Sequence, residues 1–249
     1  MDCSRQLLKL GLGKLILAVR DTAKGEDARG SLTPMLKPDQ AIEVWQLDYA
    51  SYDSVVAFAQ RGEDLDPRLD IAILNAGVNR KDFHVNPITG HEEDLQTNYL
   101  STVLLVLLLL RGFKKANTSS PGRIVIVSSD QAAWARFEQR HQEPMLPAFD
   151  DENNPWNPID HYATTKLLGQ LFVAELAKRV PPSLAVINCA NPGLCYGSQI
   201  GSELGIMAAV FIRLVGHTTD TGARTIVHAA TKLGEGSHGQ YVEEAKLRP

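Results

Sequence analysis

Arg123-Ile124-Val125-Ile126-Val127-Ser128-Ser129 holds four consecutive apolar, β-branched residues after a single arginine and stops on two hydroxyls. A strand apolar at every position has both faces covered, the mark of a parallel sheet held between helices. Similar runs recur at Lys14–Arg20, Ile42–Gln46, Ile71–Leu74 and Leu184–Cys189. Helical segments fall around them at Arg5–Leu10, Ser51–Gln60, Glu92–Phe113 and Ile159–Lys178; Val55, Val56 and Ala59 carry the helical spacing in the second. Alternation of this kind predicts an α/β fold, a doubly wound parallel sheet forming a single domain over residues 1–249.

Composition narrows the function classes. The chain has 249 residues, 44% of them hydrophobic and 22% charged, enough for one sizeable core. A net charge of −4 argues against a nucleic-acid-coating surface. Three cysteines, Cys3, Cys189 and Cys195, make neither a disulfide framework nor a metal-ligand spacing, so a reducing, cytoplasmic setting is expected. The most apolar run, Val103–Leu110, is far shorter than the roughly 20 residues of a membrane span, and no secretory leader is legible at the amino end. Asn117-Thr118-Ser119 spells a glycosylation acceptor and is read as chance. No G-x-S-x-G elbow surrounds any serine, and the seven histidines are not paired at ligand spacing. Neither hydrolase nor metal chemistry is expected.

In a doubly wound sheet, ligands bind beyond the carboxyl ends of the strands. Each predicted strand ends in residues suited to that edge: Arg20 with Lys24, then Asp48, then Asn75-Ala76-Gly77, then Ser128-Ser129, then Asn191-Pro192-Gly193. Any one of these is ordinary loop punctuation; all along one edge they predict a site. Tyr162-Ala-Thr-Thr-Lys166 supplies chemistry. One helical turn separates phenol and ammonium. A neighbouring cation favours the phenolate and is expected to lower the tyrosine pKa from about 10 toward neutrality, giving a group that moves protons at working pH. Ser129 would polarise a substrate carbonyl. Asn98, in the long helix, would hold a water or a backbone carbonyl.

Together, Leu74-Asn75-Ala76-Gly77, Asn98, Val127-Ser128-Ser129, Tyr162-Ala-Thr-Thr-Lys166 and Asn191-Pro192-Gly193 resemble the short-chain dehydrogenase/reductase family over nearly the whole chain. Ala18-Val19-Arg20-Asp21 with Lys24-Gly25-Glu26 is similar to its retinol-dehydrogenase-like branch and to filamentous-fungal members. The resemblance implies a Rossmann-like sheet and an oxidoreductase moving a hydride between nicotinamide and a carbonyl or secondary alcohol. It implies Tyr162 as general acid or base, Lys166 as its partner on the nicotinamide ribose, Ser129 (rather than Ser128) on the carbonyl, and Asn98 in the proton relay. Asp48 would meet the adenine, Asn75, Ala76 and Gly77 would line the adenosine side, and Pro192 and Gly193 would lie near the nicotinamide. Similar proteins place a threonine soon after that Pro-Gly, where this chain has Cys195, Tyr196, Gly197 and Ser198. Arg20, with Lys24, suits a 2′-phosphate, so NADP is expected over NAD, with Asp21 the counter-argument.

Two further expectations concern architecture. The family's first strand and glycine-rich turn have no counterpart here: residues 1–8 resemble the middle of its first helix, and Gly11-Leu12-Gly13 falls between a helix and a strand. A truncated active reductase, a degenerate non-catalytic paralogue or partner subunit, and a sheet in which the Leu15 strand pairs directly with the Ile71 strand are the open readings. The carboxyl end is also expected to be short. Residues 131–158 are read as an insert over the active site, and with the loop 194–205 should shape the pocket. Trp134, Phe137, Phe149 and Trp156 suggest a small apolar substrate. The long helix would serve as a homodimer face.

Overall fold

The computed structural model describes residues 1–115, 120–197 and 213–248. The glycosylation-like triplet at 117–119 and most of the loop 194–205, including Ser198, lie outside them. Helix α1 (Asp2–Lys9) leads into β1 (Lys14–Val19), α2 (Thr22–Leu32), β2 (Ala41–Gln46), α3 (Tyr52–Glu63) and β3 (Ile71–Leu74). Next come α4 (Glu93–Leu95), α5 (Ser101–Lys115), β4 (Gly122–Val127), α6 (Pro158–Ala177) and β5 (Ala185–Asn191). Short strands β6 (Cys195–Tyr196) and β7 (His217–Thr218) precede α7 (Thr219–Thr231), β8 (Tyr241–Glu243) and β9 (Lys246–Arg248).

The helix starts are written in side chains. Asp21 caps α2, accepting from the amides of Ala23 and Lys24; Ser51 caps α3; Asn157 caps α6, with proline at its first turn; Thr218 caps α7. Helix α2 carries no periodic signal in the sequence: Thr22–Leu32 has almost no apolar face, and its cap is the only strong sign of it. The predicted helix Glu92–Phe113 is interrupted. Gln96–Leu100 form a π-turn between α4 and α5, a bulge of the kind that clusters at functional sites.

The sheet comes in two parts. Strands β3, β4, β5 and β8 are parallel neighbours, with β9 antiparallel at the edge. Strands β1 and β2 pair only with each other, in parallel. Of the three open readings, the one in which the Leu15 strand pairs with the Ile71 strand is therefore overturned: among the described residues no ladder joins the two parts. Burial replaces hydrogen bonding there. Alternation along β4 sends Ile124 and Ile126 to one face, against Val55, Leu105, Leu109 and Phe113, and Val125 and Val127 to the other, against Ile226, Ala229 and Ala230 of α7. Leu47 and Tyr49, just beyond β2, join the first cluster. Helix α1 spans the divide: Leu8 packs with Leu15, Leu32 and Ile42, whereas Cys3 packs against the second face of the larger sheet. Gln40 fastens the same corner by donating to the carbonyls of Leu8 and Leu12, each over 2.8 Å.

By length and apolarity alone, Glu93–Lys114 could cross a membrane, more than the run Val103–Leu110 suggested. Leu105, Val106, Leu109, Leu110 and Phe113 instead belong to the core. The same face covers α3, so much of this helix is committed within the chain rather than free as the expected dimer face, although Leu107 is exposed.

Two strands with open edges hold their amides less firmly than a ladder buried on both sides. Hydrogen exchange is expected to be faster across Lys14–Val19 and Ala41–Gln46 than across Gly122–Val127 and Ala185–Asn191. Equal protection in the two sets would contradict this division.

Candidate active site

Strand β4 ends at a cluster. Its last carbonyl, that of Val127, accepts a 3.0 Å hydrogen bond from Lys166 Nζ. Ser128 turns to α6, its Oγ accepting from Gln170 Nε2 at 2.9 Å. Ser129 turns the other way, capping a short 3-10 turn (Asp130–Trp134) by accepting from the Gln131 amide. Its Oγ donates to Asp130 Oδ1 over 3.2 Å, and the hydroxyl lies near enough to the Tyr162 phenol to lower its pKa. Of the two serines, Ser129 is the one whose hydroxyl acts on the tyrosine.

Tyr162 and Lys166 lie one turn apart on α6, as expected, and both are buried. Their electrostatics differ from the sequence expectation. Burial pushes the Tyr162 phenol up to about 12; the Ser129 hydroxyl opposes this, and the carboxyls of Asp94 and Asp130 add to it. Burial pulls Lys166 down to about 8. The ammonium sits 5.6 Å from the centre of the phenol ring and spends its hydrogen bond on Val127. Desolvation therefore outweighs the cation's influence, and the phenol holds its proton at neutral pH.

Asn98 lies in the π-turn with its amide fully engaged. Oδ1 accepts from the Val78 amide, and Nδ2 donates to the Val78 carbonyl and to Thr165 Oγ1, at 2.9, 2.9 and 3.0 Å. It thus holds a backbone carbonyl and ties the chain after β3 to α6. Asn75 and Ala76 are exposed just beyond β3, with Gly77 half-buried.

Pro192 and Gly193 follow β5. Gly193 has φ +71°, and a Cβ there would sit 2.7 Å from the His217 ring, so a side chain is excluded twice. His217 Nε2 donates to the Pro192 carbonyl at 2.8 Å. The remaining expected residues stand apart from this cluster. Arg20 is exposed at the end of β1. Asp48, beyond β2, accepts from the Ala50 amide. Asp21, the counter-argument to NADP, has a carboxylate committed to the α2 cap at 3.0 and 3.2 Å.

Some of the surroundings were not legible. Of the four aromatics expected to shape the pocket, Phe137 and Phe149 are core residues packed with Leu95 and Leu168, and Trp156 lies against His161. Trp134 is 74% exposed. Glu92 and Asp94 read as a solvated run, His-Glu-Glu-Asp, yet both are fully buried. Burial, with Glu92 nearby, pushes the Asp94 carboxyl up to about 8.

The profile of the short chain dehydrogenase family matches residues 1–140. A short-chain dehydrogenase, fogG, of Aspergillus ruber is 47% identical over 259 residues, covering 100% of this chain and 74% of that one. The chain belongs to the short-chain dehydrogenase/reductase family. It is an oxidoreductase fold of the fungal branch: mfmJ of Annulohypoxylon moriforme is 40% identical, covering 100% of this chain and 73% of its own. Among solved structures of the same fold, a gluconate 5-dehydrogenase from Burkholderia cenocepacia in complex with NADP and tartrate matches with TM-score 0.71. It shares 16% identity and covers 97% of this short-chain dehydrogenase and 87% of its own chain. NADPH-bound carbonyl reductase from chicken fatty liver matches with TM-score 0.68 at 17% identity, covering 99% and 92%.

In this dehydrogenase Asp94 offers a pH signature. Its folded carboxyl keeps a proton up to about pH 8, whereas the unfolded one, with an ordinary value of 3.8, releases it. The folded state binds the extra proton across that window, so stability falls as pH rises through it. Asp94→Asn retains an acceptor for the Arg80 amide and lacks the titration. The variant's Tm is expected to gain on the wild type between pH about 5 and pH about 8. A pH-independent difference would refute the assignment.

Proposed function

We propose that this chain catalyses NADPH-dependent reduction of a carbonyl on a small apolar substrate, and the reverse oxidation of a secondary alcohol, with Tyr162 as the proton-transfer group. The observation that carries the reading is the buried phenol beside the Ser129 hydroxyl, at the edge where Lys166 is anchored to Val127. A nicotinamide cofactor fits the donor set at both ends. Lys166 and Tyr162 offer ribose contacts at one, with Pro192 and Gly193 beside the nicotinamide. At the other, Asn75, Ala76, Gly77 and Asp48 would line the adenosine, and Arg20 would meet the 2′-phosphate. Asp21, held by its helix cap, leaves Arg20 as the charge on offer there, which favours NADP over NAD. No glycine-rich turn for the pyrophosphate occurs among the described residues.

When bound, nicotinamide supplies the hydride. The chain supplies the rest. Ser129 Oγ, turning its one proton from Asp130, and the phenol both donate toward a carbonyl oxygen, drawing charge onto it. A phenol that titrates at about 12 arrives protonated and delivers its proton as the oxygen becomes an alkoxide. The ammonium stabilises the phenolate left behind. Asn98, by gripping Val78 and Thr165, keeps the two sides of the relay in register. Exposed Trp134, five residues past Ser129, offers apolar surface to the substrate. Residues 131–158 act here as a cover over the site.

NADPH absorbance against a panel of aldehydes and ketones tests the reading. Tyr162→Phe is expected to lower kcat by 10²–10⁴, roughly the contribution of general acid catalysis. Arg20→Ala is expected to raise KM for NADPH roughly tenfold and leave that for NADH unchanged, a loss comparable to one charge-assisted hydrogen bond. The reduction rate should be level at neutral pH and decline as pH rises through about 8, where Lys166 discharges. Absence of NADPH binding by calorimetry would favour the non-catalytic alternative, a partner subunit or degenerate paralogue.

A further inference from the structure

One buried pair lies beside the proposed proton donor and takes no part in the mechanism above. His161 immediately precedes Tyr162 and is 5% exposed; Glu92 immediately precedes α4 and is fully buried. His161 Nε2 donates to Glu92 Oε2 over 2.6 Å. The two carboxylate oxygens also accept from the amides of Asp94 and Leu95, each at 2.9 Å, so Glu92 caps the turn that leads into Asn98. Among the described residues no three His, Cys, Asp or Glu side chains converge as a metal-binding group, so the arrangement is a pair rather than a metal site.

Three segments meet on this pair. From the long segment before α6, Asp150 accepts from the Glu92 amide at 2.8 Å through one oxygen, and its other oxygen lies 2.9 Å from His91 Nδ1. Phe149 and Trp156 of that segment flank the imidazole, with ring centres at 5.5 and 4.5 Å. Trp156 is itself fixed by donating from Nε1 to the Lys81 carbonyl at 2.8 Å. Two rungs therefore tie the helical run starting at α4 to α6. Glu92 with His161 forms one and Asn98 with Thr165 the other. Tyr162 is mounted between them.

We propose that Glu92 and His161 are positioning residues, which orient the Tyr162 phenol on Ser129 and lock residues 130–157 to the start of the catalytic helix. The proposal rests on the reading of Tyr162 as proton donor. A side chain held at one rung only can swing, and small misplacements of a reacting group cost up to about a hundredfold in rate. A donor that reaches Glu92 is required at position 161; an aromatic of similar size fills the space between Phe149 and Trp156 without supplying it.

The test compares wild type, His161→Phe, His161→Gln, Glu92→Gln and the double variant Glu92→Gln/His161→Phe. It records kcat, KM, NADPH affinity, Tm, and the NMR resonance of ring-labelled tyrosine assigned to Tyr162 by its loss in Tyr162→Phe. Expected is a ten- to hundredfold fall in kcat in His161→Phe with NADPH affinity unchanged. His161→Gln, whose amide still donates, should recover part of it. The double variant should be no slower than the worse single, since one interaction is lost. The Tyr162 resonance should shift in His161→Phe and move back in His161→Gln. A lower Tm with unchanged kcat and an unshifted resonance would make the pair a core contact only and overturn the proposal. A wild-type rate in Tyr162→Phe would sink the proton-donor reading instead. The resonance decides the positioning claim even where no carbonyl in the panel is reduced.

Discussion

A buried ammonium must have an acceptor, and Lys166 has the last carbonyl of β4. That bond fixes how α6 lies across the strand ends. Once Lys166 is anchored on Val127, the helix places Tyr162 one turn back toward Ser129, Thr165 toward Asn98, and Gln170 on Ser128. The sheet supplies the other half. Parallel pairing of β3, β4 and β5 brings their carboxyl ends to one edge, so the residues following each strand become neighbours whatever their distance in the chain.

The alternating pattern was readable because β4 and β5 are apolar on both faces, and parallel burial leaves no other explanation. Tyr162, Lys166 and Ser129 were readable as a group because one helical turn and one strand end fix their relation. The direction of the tyrosine's titration was not. Sequence shows the neighbouring cation but hides the desolvation that outweighs it, and hides that the cation is occupied by a carbonyl. Glu92 and Asp94 escaped for a similar reason: a run of acids reads as a wet face, and only tertiary packing buries it. Helix α2 escaped because its apolar residues are few and its start is a single aspartate cap.

The two-part sheet follows from what the amino-terminal residues can do. Residues 2–9 form a helix with Leu8 against the smaller sheet and Cys3 against the larger. Side-chain contact holds the parts together where no ladder runs between them. Such contacts tolerate small displacements better than hydrogen-bonded strands, whose register is all or none. The adenosine-side candidates Arg20 and Asp48 ride on the smaller part, and the catalytic candidates on the larger.

The π-turn at Gln96–Leu100 carries a consequence for how this helix can vary. It holds one residue more than a regular turn, and each residue advances a helix by about 100°. Removing one position between 96 and 100 would make the helix regular, but would swing either Asn98 off Val78 and Thr165 or the Leu105–Leu109 stripe off α3. Length in this stretch is therefore less free than composition: substitutions there face a local test, whereas any deletion must be reconciled with both ends of the helix at once.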